Sequence, residues 1–127
     1  MAVFDIKKSI CGFRGFGWIL DGDIIEDKVR NVSLAFLKHY SSGEVLELVS
    51  PLNKKSPISN TLNLMKNVAV PYHICYEVRD IDRAINILKA RKYVLTDKAK
   101  PAMAFDDRRV AFMLNRDVGL IELLERE

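Results

Sequence analysis

The sequence has only two cysteines in 127 residues, and that scarcity excludes several classes of protein. Cys11 and Cys75 are too few for a disulfide framework, and neither lies in a CxxC-type metal motif. Two free thiols are what a cytoplasmic protein normally carries. Long apolar runs are also missing. Nothing approaches the roughly 20 residues that a membrane-spanning helix needs, so no membrane partner is expected. Asp5, Lys7 and Lys8 interrupt the start, where a secretory leader would need a continuous apolar stretch. Strong charge of one sign is absent too: the formal net charge is +3. Lys7-Lys8 and Lys54-Lys55 are isolated pairs, and Arg108-Arg109 stands beside Asp106-Asp107. With no basic stripe and no basic patch interleaved with aromatics, nucleic acid is not an expected partner. Gly12, Gly15 and Gly17 resemble a phosphate-binding glycine loop only in spacing. No strand–loop–helix order surrounds them, so they are read as a helix end.

What is present is ordinary soluble-globular composition, with 49% apolar and 29% charged residues, and an internal repeat. Val3, Asp5, Ile6, Ile10 and Leu20 recur 75 residues later as Val78, Asp80, Ile81, Ile85 and Leu95. Trp18 answers to Tyr93, and Val45-Leu46-Glu47-Leu48 to Leu120-Ile121-Glu122-Leu123, at the same offset. Two copies of one supersecondary unit are the simplest cause. The register places the counterpart of His73, which opens the second copy, before Met1.

Each copy reads as strand–helix–strand–strand–strand. In the first, Ala2-Val3 is a strand stub, Asp5 caps a helix carrying Ile6, Ile10 and Phe13, and strands follow at Trp18–Ile25, Val32–Leu37 and Val45–Val49. Turns are expected at Asp21-Gly22-Asp23 and Ser41-Ser42-Gly43. In the second, His73–Val78 is a strand, Asp80 caps a helix with Ile81, Ala84, Ile85 and Leu88 on one face, and strands follow at Tyr93–Leu95, Val110–Leu114 and Leu120–Leu124. The reading is thus one α+β domain over residues 1–127, with paired βαβββ modules at 1–50 and 70–127 and a polar linker at 51–69. A short helix is expected near Thr61–Met65. The sheets are expected to form a curved, barrel-like cup with the helices outside, the first strand of module one being largely missing. That loss leaves a strand edge to be covered, for which a homodimer is expected.

Three residues carry the chemistry: Glu47, His73 and Glu122. Each stands in an apolar strand, where an unpaired buried charge is costly. Strand alternation puts Val45, Glu47 and Val49 on one face, and Leu120, Glu122 and Leu124 on the matching face of the other copy. The repeat then aims the two glutamates at each other across the cup, with His73 alongside. Two carboxylates and an imidazole suit a divalent ion such as Mn, Fe(II), Co, Ni or Zn. Such an ion polarises a substrate carbonyl while a carboxylate removes the adjacent proton. The plainer readings are solvent-facing glutamates, a hydrogen-bonded structural histidine, a surface His39, a small buried Cys75, and core roles for Phe36 and Phe112. The repeat relation between the two glutamates weighs against these.

His73-Ile74-Cys75-Tyr76-Glu77-Val78-Arg79-Asp80-Ile81, Leu46-Glu47-Leu48-Val49-Ser50-Pro51-Leu52, Ser56-Pro57-Ile58, Val110-Ala111-Phe112 and Gly119-Leu120-Ile121-Glu122-Leu123 resemble the vicinal oxygen chelate (glyoxalase/bleomycin resistance/dioxygenase) superfamily. Within it, methylmalonyl-CoA epimerases and lactoylglutathione lyases are the nearest in appearance. The resemblance implies paired βαβββ modules, homodimers, a divalent metal in the cup, and isomerisation, epimerisation or lyase chemistry on a small carbonyl compound through a metal-bound enolate. Carried over residue by residue, it gives Glu47, His73 and Glu122 as metal ligands, with Glu122 or Glu47 also the catalytic base. The first-strand histidine of the family has no position here, so three ligands imply weaker metal binding than in relatives with four. The Pro101–Asp107 loop lacks the glycine- and histidine-containing turn that coenzyme A epimerases usually carry, and nothing identifies a glutathione site. The alternatives on the same fold are a non-catalytic small-molecule-binding protein of the drug-sequestering type and an inactive shortened member.

Overall fold

A computed structural model describes residues 1–127. The chain divides into two compact units, Met1–Pro71 and Tyr72–Glu127, and each builds a sheet with a helix on one face. In the first unit, α1 (Ile6–Arg14) precedes β1 (Trp18–Asp27), β2 (Val32–His39) and β3 (Val45–Pro51), and α2 (Ser59–Leu64) follows. The second runs β4 (Ile74–Val78), α3 (Ile81–Ala90), β5 (Val94–Pro101), a single 3-10 turn at Met103–Phe105, β6 (Arg109–Asn115) and β7 (Gly119–Glu125). The α+β class read from the sequence is the class observed. No helix is long and apolar enough to cross a membrane.

Strand order in the second unit is β4-β7-β6-β5. The first and last strands pair in parallel, Ile74 facing Ile121 and Cys75 facing Glu122. Parallel neighbours cannot be joined by a tight hairpin and need a long connection. Here α3 opens that connection and lies on one sheet face. Its buried Ile81 and Ile85 pack against Ala111, Met113, Ile121 and Leu123. In the first unit Ile6 and Ile10 meet Ala35, Leu37 and Leu48 in the same way.

The strand stub at the N-terminus keeps the repeat register. Ala2 bridges Val49 in parallel, the counterpart at 75 residues of the Glu77–Leu124 pair. Val3 N–H donates to the Val49 carbonyl and Val49 N–H to the Met1 carbonyl, both at 2.9 Å. The stub's other side is paired as well, since Ala2 and Val70 exchange backbone hydrogen bonds of 2.8 and 3.0 Å. Ala2 therefore does not present the open edge expected from the sequence; Val70 covers it.

Helices α1 and α3 start from the same cap. The Asp5 carboxylate accepts the Lys8 N–H at 3.1 Å and Asp80 accepts the Arg83 N–H at 2.9 Å, satisfying one of the orphan donors at each helix start. Past each helix the chain turns through a left-handed residue, Gly17 at φ +85° and Lys92 at +67°. A side chain at Gly17 would also strike the Tyr40 ring, which lies 2.6 Å from where its Cβ would be.

Several boundaries differ from the sequence reading. Gly12 lies inside α1 instead of ending it. β1 continues to Asp27 through Asp21-Gly22-Asp23, absorbing the expected turn as an irregularity between Asp21 and Ile25. β5 runs to Pro101, where proline is tolerated because β5 is an edge strand. The repeat offset also lengthens by one residue at β6 and returns to 75 at β7. Val110-Ala111-Phe112-Met113 lies 76 residues beyond Leu34-Ala35-Phe36-Leu37, as the matching strand registers show. The extra residue sits before β6, where Asp106 and Asp107 are both left-handed and the first copy has only Asn31.

One tie belongs to the second unit alone. Arg109 donates through Nε and Nη2 to both Glu125 oxygens at 2.8 Å, and through Nη1 to Asp82 at 2.9 Å. Glu125 Oε1 also accepts the Ile81 N–H at 3.3 Å. The bidentate contact fixes the end of β7 to the start of β6 and to the first turn of α3.

Both the caps and this tie have measurable consequences for stability. Asp5→Ala and Asp80→Ala should each lower the unfolding free energy by about 1 kcal/mol; denaturant unfolding in which only one of them matters would contradict equivalent caps. Hydrogen bonding to Arg109 holds the Glu125 carboxyl below the ordinary carboxylate range, and Arg109 is raised in turn by Glu125 and Asp82. A depressed carboxyl contributes stability that is complete above the unfolded-state value, about 4.3, and is lost as pH falls through the folded-state value. Wild type should therefore exceed Glu125→Gln in stability near neutrality and converge with it in acid. Urea titrations that stay parallel down to about pH 2 would contradict the assignment.

Candidate functional site

In the second unit the sequence's candidates come together as a pair. Glu122 lies mid-strand in β7 and is only 3% exposed. Alternation sends its neighbours Ile121 and Leu123 into the packing under α3, so its carboxylate stands on the helix-free face. His73 directly precedes β4. The parallel pairing of β4 with β7 places its Nε2 2.8 Å from Glu122 Oε2, and its side chain is 5% exposed. An ionised carboxylate withdrawn from water needs a hydrogen-bonding partner, and the imidazole supplies one.

Aromatic rings frame the imidazole. Tyr72 meets it edge to face at 5.1 Å between centroids and 75° between planes, and Phe112 at 5.4 Å and 88°. Phe112 is also the cross-strand partner of Glu122 on β6. It packs against a small buried cluster of Ala102, Val110 and Leu124, and not in the core beneath α3.

Glu47 occupies the equivalent place in the first unit. It lies mid-strand in β3 on the helix-free face, because Leu46 and Leu48 pack with α1. Its cross-strand partner is Phe36, and it is half-buried. A glutamate beside a phenylalanine is therefore built twice, once in each unit. As read from the sequence, Phe36 and Phe112 are candidate walls of the cup, with core roles preferred, and are not paired with the glutamates. The Ala-Phe dipeptide shared by Ala35-Phe36 and Ala111-Phe112 was the available signal, hidden by the one-residue change of offset.

The remaining candidates separate from this site. Cys75 is exposed, not the small buried hydrophobe expected. His39 is more than a surface residue. Its Nε2 lies 3.0 Å from the Phe16 carbonyl, which can only accept, so Nε2 carries the proton there. Nδ1 then accepts from Ser41 Oγ at 3.1 Å and from the Ser42 N–H. With Trp18 and Tyr40 against its ring, His39 ties the turn after α1 to the turn after β2. An open groove of about 440 Å³ runs past it in the first unit and is lined by neither Glu47 nor Phe36.

A buried imidazole and carboxylate sharing one contact form a nitrogen and oxygen donor set that fits a borderline divalent cation. The same carboxylate can carry a proton.

The profile of the Glyoxalase/Bleomycin resistance protein/Dioxygenase superfamily matches residues 1–112. Methylmalonyl-CoA epimerase from Mycobacterium tuberculosis superposes with a TM-score of 0.81 and 25% identity, over 99% of this chain and 83% of that one. A hypothetical protein from Bacillus halodurans gives 0.82 and 25%, over 99% and 89%. A variant of Streptomyces coelicolor methylmalonyl-CoA epimerase in complex with 2-nitronate-propionyl-CoA gives 0.76 and 21%, over 98% and 91%, a likeness of fold. No curated protein matches the sequence. With a family profile spanning most of its length and these folds superposing on nearly all of it, the chain belongs to the Glyoxalase/Bleomycin resistance protein/Dioxygenase superfamily.

Proposed function

We propose that the protein is a metal-dependent isomerase, epimerase or lyase acting on a small carbonyl compound, with Glu47, His73 and Glu122 as its metal ligands. The observation that carries this reading is the buried His73–Glu122 pair at 2.8 Å. The repeat adds Glu47 at the position equivalent to Glu122, and the superfamily membership and the epimerase fold support the same class of reaction. A buried polar pair is weak evidence for stability, since well-packed apolar side chains in its place are often neutral or stabilising. Its presence among apolar side chains therefore supports a functional reading.

A bound divalent ion would supply Lewis-acid polarisation of the substrate carbonyl. The chain's residues do the rest. His73 and Glu122 offer one nitrogen and one oxygen from a preformed contact, and Glu47 adds a second carboxylate. Either glutamate can accept the proton next to the carbonyl. For an epimerisation, the proton leaves one face of the carbon and another is returned to the opposite face, which two carboxylates can share; an isomerisation needs only one. The Pro101–Asp107 loop, without the glycine and histidine expected in a coenzyme A epimerase, keeps the substrate assignment at a small carbonyl compound.

We place the protein in the cytoplasm, consistent with its two exposed cysteines, neither in a disulfide. We propose also that it forms a homodimer. The edge strand β4 exposes Ile74 and Tyr76 at 62% and 49%, and an apolar strand edge of this kind is normally covered.

Glu122→Gln tests the site with little change in volume. Wild type should bind about one Co(II) or Zn(II) per chain, and the variant should lose at least tenfold in affinity together with proton exchange next to a substrate carbonyl, as loss of one of few ligands requires. Undiminished binding and activity would remove Glu122 from the site, and a wild type that binds no metal would favour a metal-free binding protein. Light scattering at micromolar concentration should give twice the 14.5 kDa chain mass; a monomer would exclude the dimer.

A further inference from the structure

We infer that Phe112 is a positioning residue, setting the His73 imidazole against Glu122. The inference depends on the proposed function for its metal readout and on geometry alone for the rest. His73 precedes the first paired residue of β4, Ile74, so its ring orientation is left to side-chain neighbours. A histidine ring turns about two torsions, and only a narrow range brings Nε2 within 2.8 Å of Glu122 Oε2.

Phe112 restricts both partners of that contact. Its ring stands at 88° to the imidazole with centroids 5.4 Å apart, an edge-to-face arrangement of the kind that aromatic rings prefer. The same side chain sits directly across the β6–β7 ladder from Glu122, so it also borders the space the carboxylate occupies. Phe112 is held in turn by the Ala102, Val110 and Leu124 cluster. Tyr72 limits the imidazole with a second near-perpendicular contact, but it neighbours His73 in sequence and does not face Glu122 in the ladder. Phe112 both packs on the imidazole and faces Glu122 in the ladder. Phe36 stands across from Glu47 in the same way, so the aromatic neighbour belongs to the glutamate in both copies, and the second copy uses it for the imidazole as well.

The chain's two histidines make the test direct. In the NMR spectrum of the metal-free protein, the ring signal of His73 reports the effect and that of His39, held by Phe16 and Ser41, is the internal reference. In Phe112→Leu the His73 ring signal should shift and its order parameter fall, with His39 unmoved. Phe112→Met, which keeps bulk without a ring, should do the same and carries the test if the leucine variant does not fold. Phe112→Tyr should restore the wild-type ring signal. Cobalt affinity should fall about two- to tenfold in the leucine and methionine variants, the range expected for one aromatic pair, with a changed visible spectrum of the bound ion and recovery in the tyrosine variant. A folded variant whose His73 ring keeps its signal and order overturns the inference, as does equal loosening of His39 and His73. If wild type binds no cobalt, the metal reading fails, while the ring signal still decides the role of Phe112.

Discussion

The parallel pairing of β4 with β7 is the constraint on which the site depends. It joins the first strand of the module to its last, and such a join forces a long excursion between them. The amphipathic helix α3 starts that excursion, capped by Asp80 and seated by Ile81 and Ile85. The two hairpin-connected strand pairs that follow bring the chain back beside β4. Only this return places the residue before β4, His73, next to a residue in the middle of β7, Glu122. The same join is repeated in short form at Ala2 and Val49, in the register that the duplication requires.

A consequence is that the sheet has two unlike faces. On the helix side the side chains are small or aliphatic, as Ala111, Met113 and Leu123 show. On the other face the glutamates stand beside phenylalanines. Withdrawing a carboxylate from water is favourable only when hydrogen bonds replace the lost hydration, and at Glu122 the imidazole contributes that replacement. The duplication provides a glutamate and a phenylalanine in each unit, and in the second His73 joins them. The proposed function therefore rests on the glutamate pair that the duplication supplies together with His73.

Much of this was legible in the sequence because the repeat makes two independent segments report on one structure. Asp5 and Asp80 announced the helix starts, and the glutamates announced their own equivalence. What was not legible depended on longer-range contacts. The extra residue before β6 moved Phe112 out of step with Phe36, concealing the aromatic partners of both glutamates. Gly12 reads as a helix stop by composition, yet packing of Ile6 and Ile10 on the sheet carries the helix past it. Cys75 alternates with apolar neighbours as a buried residue would, but β4 is an edge strand and leaves it exposed. His39 gives no local signal of its role, because its partners are the Phe16 carbonyl on one side and the Ser41-Ser42 turn on the other.

The central claim is that Glu47, His73 and Glu122 hold one divalent ion. The most direct measurement is anomalous scattering from crystals of the protein grown with cobalt or zinc. The account predicts one ion per chain, bound by Glu47, His73 and Glu122 with protein ligand distances of about 2.0–2.2 Å. An ion held by other residues, or none at saturating metal with the three side chains well ordered, would contradict it.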